Sequence, residues 1–199
     1  MLLSLTVHEA AHAGVARLRG DTTAAAAGRL SLNPIRHIDL FGTVILPLAG
    51  ALSNLPIIGW AKPVPVDTRA FRYPRFDHML VAAAGPVSNL VASAVCLLAL
   101  AFLPVAQAGP WAHFAVSMVW INAYLAVFNL LPLPPLDGAA VATAVLPVDW
   151  ARRYQALIAP YGIWILFGLF AAGGLNWMGD VAGAYVGLIK GAVTYGMHL

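Results

Sequence analysis

The chain has 199 residues, 61% of them hydrophobic and 10% charged, with a formal net charge of +3 and a mean hydropathy of +0.80. An ordinary soluble domain carries about 25% charged residues, so this composition excludes a water-exposed globule and makes the chain a mainly α, polytopic membrane protein of a single domain. The lone cysteine, Cys96, excludes a disulfide framework, and no basic stripe with interleaved aromatics points to nucleic acid.

The first predicted helix covers residues 1–18. It would rise about 27 Å, nearly the ~30 Å of bilayer hydrocarbon. It lacks a basic n-region and an A-x-A cleavage site, so it reads as a retained helix rather than a signal peptide. It is short at its outer end, and whether residues precede Met1 is left open. A re-entrant or cytoplasmic segment follows, at about 20–77. Within it residues 40–61 carry no formal charge but are broken by Gly42, Pro47, Gly50, Pro56 and Gly59. With β-branched Thr43, Val44, Ile45, Ile57 and Ile58, this stretch reads as short strands and turns dipping into the membrane. The expectation is a small re-entrant β element around 28–66, tolerated where protein or a polar cavity satisfies its backbone.

No charged side chain occurs between Asp77 and Asp137, room for two spans of about 20 residues. These are placed at 79–103 and 112–131, separated by Pro104, Gln107, Gly109 and Pro110. A further helix is expected at about 154–175. A Gly-rich tail with Lys190, at 181–197, reads as a weak span or an interfacial helix. Arg17, Arg19, Arg29, Arg36, Lys62, Arg69, Arg72 and Arg75 fall in one loop, and Arg152 and Arg153 in another. Both loops should be cytoplasmic, which puts His12 near the cytoplasmic end of the first helix.

That helix holds His8-Glu9-Ala10-Ala11-His12. Residues i and i+4 share a helix face, about 6 Å apart along the axis. Two imidazoles so placed can both reach one zinc ion at ~2.0–2.1 Å. Glu9, the only glutamate in the chain, stands beside them, placed to take a proton from water. Helix contacts made through hydrogen bonds are the plainer explanation for a single intramembrane histidine. Three polar groups at zinc spacing favour a metal site.

Zinc at a catalytic site takes three protein ligands and leaves one position open. Asp137, in NLLPLPPLDG, fits as the third; its alternative role is an N-cap for a helix over 138–146. His113 competes but lies near the outer end of its span. His37 and His78 lie in or beside the basic loop. Asp39, Asp67 and Asp77 sit among arginines and are expected to be solvated.

H-E-x-x-H in one membrane helix and N-x-x-P-x-P-x-L-D-G at the end of a later one resemble the site-2 protease family of intramembrane zinc metalloproteases. SLNPIRHIDLFGT (31–43), GWAKPVPVD (59–67) and AAGPVSN (83–89) are similar to family stretches too. The matches run in order across residues 1–138, about two thirds of the chain. The resemblance implies three core helices around one Zn2+ per chain. It implies His8, His12 and Asp137 as ligands, Glu9 as base, and Asn89 as a residue that holds substrate or the oxyanion. The alternative for Asn89 is a helix–helix hydrogen bond beside the small-residue ridge Ala84, Ser88 and Ala92. This is a compact form: no PDZ-like insert separates the second and third core helices, and no nucleotide-binding regulatory domain follows. Leu40 stands where the family often has proline.

The expected activity is hydrolysis of peptide bonds within transmembrane segments of membrane-tethered substrates, as in regulated intramembrane proteolysis. The expected setting is a prokaryotic cell membrane, with the active site nearer the cytoplasm. Partners are then a transmembrane protein substrate and the bilayer; substrate identity and oligomeric state stay open. A catalytically silent scaffold of the same fold is the alternative, though it has no need of Glu9. A zinc transporter is a weaker one, since its ligands should be strung along a path across the membrane.

Overall fold

The computed structural model describes residues 1–53, 59–102 and 109–196. Its helices in chain order are α1 (Leu2–Leu18), the one-turn α2 (Thr23–Ala26), α3 (Leu46–Leu52), α4 (Pro74–Phe102), α5 (Gly109–Asn129), α6 (Asp137–Val145), α7 (Val148–Leu157), α8 (Gly162–Ala171) and α9 (Met178–Gly196). Among the described residues three stretches are long and apolar enough to cross a membrane: Pro74–Phe102, Gly109–Asn129 and Val148–Ala171. The last is α7 and α8 joined by a 3-10 turn, Ala159–Tyr161. Helix α1, at 17 residues, rises about 26 Å, just short of the hydrocarbon thickness. Residues 54–58 and 103–108, which include Pro56, Ile57, Ile58, Pro104 and Gln107, lie outside the described residues.

The expected β element is corrected: no strand occurs among the described residues. Residues Leu40–Ile45 instead form a π-helical turn that runs into α3. The carboxylate of Asp39 accepts from the backbone N–H of Phe41 at 3.1 Å and of Gly42 at 2.8 Å, which starts a helix as an N-cap does. Pro47 falls in the first turn of α3, where a missing N–H costs nothing. These local signals outweigh the β-branched side chains. Residues 61–67 belong to no helix or strand, and Pro63 and Pro65 have no N–H to contribute to a ladder.

The chain divides into two compact units, Met1–Gly85 and Pro86–Leu199. In the first, Ala16 of α1 packs with Phe71 and Val81, flanked by Val15 and Val66. Asp21, just past α1, is 1% exposed. It accepts from Thr23 N and from Asp67 N, each at 2.8 Å. Burial pushes its carboxyl up, but the hydroxyl and N–H of Thr23 and the N–H of Asp67 outweigh that and hold it below the ordinary carboxylate value. Arg19 reaches Asp77 with Nε at 2.7 Å.

In the second unit α5 packs against α9. Leu97, Val119, Ala123, Ala182 and Val186 form its core. The alanines let helix backbones approach closely, as membrane helix packing requires. Ser93 Oγ donates to Val119 O at 2.8 Å, and Tyr185 Oη of α9 donates to Leu90 O at 2.5 Å. On α4, Val87, Val91, Val95, Leu98 and Phe102 stay exposed. Their spacing of three and four residues marks one stripe for lipid.

Candidate metal centre

His8 and His12 are both buried on α1. Their rings meet edge to face, centroids 4.6 Å apart with an 85° interplanar angle. His12 Nδ1 lies 2.7 Å from the carbonyl oxygen of Val81. A carbonyl only accepts, so Nδ1 carries the proton and Nε2 keeps its lone pair. One helical turn further along α4 is Gly85. A Cβ there would sit 2.6 Å from Cε1 of His8 and of His12, and closer still to His12 Nε2. The residue at i of α4 therefore orients the imidazole, and the residue at i+4 leaves room in front of the imidazoles. Two buried imidazoles, one with its Nδ1 held by a carbonyl, fit zinc, whose histidine ligands are commonly oriented by such an acceptor.

Glu9 is half-buried between the histidines in sequence, and its Oε2 accepts from Val64 N–H at 3.1 Å. Asp137 opens α6; the N-cap is Leu136, so the capping role expected as its alternative falls one residue earlier. The loop before it is held tightly. Tyr154 Oη donates to Pro132 O at 2.5 Å, and the Pro134–Pro135 peptide is cis. A side chain at Gly138 would strike the carbonyls of Leu130 and Leu131, and one at Gly162 the carbonyl of Pro134. Asp137 is half-buried there.

Asn89 is fully buried on α4. Its Nδ2 donates to Asn122 Oδ1 at 2.8 Å, and Asn122 Nδ2 donates to Met118 O at 2.8 Å. The helix–helix hydrogen bond named as the alternative for Asn89 is thus present, and it also fixes which way the amide points. Asn122 escaped the sequence reading. Its signal was an asparagine in the middle of an apolar span, expensive there unless paired.

The competing ligands separate. His113 is exposed. His37 is fully buried and shares a 2.8 Å hydrogen bond between Nε2 and Ser31 O, so it organises its own loop. Asp77 is a correction: it is 0% exposed rather than solvated, because Arg19 and the N–H of Tyr73, at 2.9 Å, compensate its burial. Asp39 and Asp67 are half-buried and serve as caps. The hydrogen bonds and ion pair from Arg69 keep the Asp67 carboxyl below its ordinary value.

Comparison with known proteins agrees with this chemistry. Residues 103–169, which contain Asp137, match the family model described as Peptidase family M50. The protein named "Putative zinc metalloprotease YwhC" of Bacillus subtilis is 40% identical over 177 residues, covering 85% of this chain and 77% of that protein. Rip2 of Mycobacterium tuberculosis, of the same descriptive name, is 33% identical over 193 residues, covering 92% of this chain and 72% of its own. Rip3 from that organism is 31% identical over 204 residues, 94% of this chain but 42% of its own. No solved structure matches the chain. The chain belongs to peptidase family M50, the site-2 proteases, and is a zinc-dependent membrane protease.

Proposed function

We propose that the chain is an endopeptidase that cuts peptide bonds within the transmembrane segment of a membrane-tethered protein. His8, His12 and Asp137 would hold the zinc, two buried imidazoles and a half-buried carboxylate, a donor set that zinc takes. The support for Asp137 is its place in the N-x-x-P-x-P-x-L-D-G motif and the tight seating of that loop. The observation that carries the reading is at the histidines: Val81 fixes the His12 tautomer and Gly85 leaves the space beside Nε2.

Zinc, when bound, supplies Lewis acidity toward the peptide carbonyl and acidifies water. Glu9 takes the proton of the attacking water on its carboxylate and returns it to the leaving amine. Asn89, its amide oriented by Asn122, donates to the developing oxyanion. A helical substrate hides its peptide bonds, so it must unwind locally before it is cut. Spans with helix-weakening glycine or proline should therefore be cleaved faster than an all-leucine span. The arginine-rich loops support a cytoplasmic location for the reaction, and a prokaryotic cell membrane is the setting we propose.

The test is a paired measurement on purified protein in detergent: zinc per chain and cleavage of a model transmembrane peptide, for wild type and Glu9→Gln. Zinc retained in both, with cleavage lost in the variant alone, is the expected result. Equal cleavage would remove Glu9 from the mechanism.

A further inference from the structure

We infer that the backbone N–H of Val64 positions the Glu9 carboxylate, and that Pro63 and Pro65 make it the sole backbone donor of that stretch. The inference rests on the reading of Glu9 as the base, and it concerns a group that no side-chain motif contains.

Three observations, all within the first compact unit, lead there. The segment from Trp60 to Val64 uses alternate N–H groups. Trp60 N donates to Gly42 O at 3.2 Å and Lys62 N to His37 O at 2.9 Å. Val64 N donates to Glu9 Oε2 at 3.1 Å. This is the two-residue period of a strand edge, but its third rung ends on a carboxylate instead of a carbonyl. Next, Pro63 and Pro65 on either side have no N–H. Proline also fixes its own φ near −65° and biases the residue before it to extended backbone. Lys62 and Val64 both precede prolines, so the sequence Lys-Pro-Val-Pro is biased to extended backbone. Finally, the far end is pinned: Asp67 N donates to the buried carboxylate of Asp21 at 2.8 Å. The donor facing Glu9 is thus held from both sides, by His37 and by Asp21.

A glutamate side chain has three rotatable bonds, and ordering it has an entropic cost. A backbone N–H that is already fixed orients the carboxylate before substrate arrives, which is the condition for efficient proton transfer. The same prolines make residues 63–65 a poor donor edge for an added strand. A substrate laid along them would find carbonyls but no second N–H.

The experiment replaces Val64 by its α-hydroxy acid, which turns the amide into an ester and removes the one N–H with almost no change in shape. Val64→Ala, which keeps the N–H, and Glu9→Gln are made in parallel. Zinc per chain, kcat and KM for a transmembrane peptide are read for each. The expected result is a kcat about 10- to 100-fold lower for the ester, the range for losing a hydrogen bond to a charged group. Zinc content and KM should be unchanged, and Val64→Ala should keep more of kcat than the ester does. A kcat for the ester within about twofold of wild type overturns the inference, as does an equal loss in Val64→Ala. If Glu9→Gln cleaves as wild type does, the base assignment fails and the positioning role falls with it. If Glu9→Gln is inactive while the ester is normal, only the positioning role fails.

Discussion

Nδ1 of His12 lies 2.7 Å from the carbonyl oxygen of Val81, across 69 residues of sequence. That one contact bears on the chemistry of the ring, because it places a proton on Nδ1 and makes Nε2 the nitrogen that would meet metal in the proposed site. It also sets Gly85, one turn along α4, against both imidazoles.

Gly85→Ala should therefore be far more damaging than its size suggests. The added methyl would lie 2.6 Å from Cε1 of both histidines, and neither a buried ring nor a helix backbone yields that much. We expect zinc affinity to fall by at least about 10-fold, the scale of second-shell disruption at zinc sites. Zinc competition with a chromogenic chelator reads this directly, with helical content followed by circular dichroism as the control.

Asn122→Ala tests whether the Asn89 pair serves catalysis or only packing. Asn122→Ala removes the Oδ1 that accepts from the Asn89 amide. If that amide meets the oxyanion, kcat should drop about 10-fold with KM and zinc unchanged. Ser93→Ala, which removes another α4-to-α5 hydrogen bond, should leave kcat near wild type. Equal effects from the two variants would assign the pair to packing.

Stability should carry an acid limb from Asp21. Its folded carboxyl sits below the ordinary value, so the unfolded chain takes up the proton first as pH falls. The contribution is complete above the unfolded pKa of about 3.9 and is lost as pH drops through the lower folded value. Asp21→Asn should cost about 1–3 kcal/mol at pH 7. The gap between the two proteins in detergent unfolding should stay constant down to about pH 5 and close below about pH 4.

Arg19→Met should strand a buried charge, since the Asp77 side chain is 0% exposed. We expect a loss of about 2 kcal/mol, less than for a fully buried pair because Arg19 is 35% exposed. Arg19→Met with Asp77→Leu should recover part of it, as thermal unfolding of the two variants will show.

Much of this was legible in the letters. Two imidazoles at i and i+4 can reach one metal ion, so His8 and His12 stood out as candidate ligands, and charge-free runs announced α4 and α5. The stretch 40–52 misled because β-branched residues suggested strands, whereas Asp39 and Pro47 start a helix. Asp77 misled because a carboxylate among arginines looks solvated, while its true partner, Arg19, lies 58 residues away. Gly85 was only one letter of AAGPVSN; that it lies against two rings depends on how α1 meets α4. The Val64 contact with Glu9 was invisible for a plainer reason. It uses a backbone group that every non-proline residue has, and only the prolines around it hint at selection.

Tyr185 joins α9 to Leu90, the residue after Asn89. Every motif that suggested the family lies before residue 139, so a trimmed version ending after the Asp137 loop would look sufficient on paper. The hydroxyl says otherwise. Helix α9 grips α4 beside its asparagine, and we expect a version cut short of Tyr185 to lose that hold and with it activity.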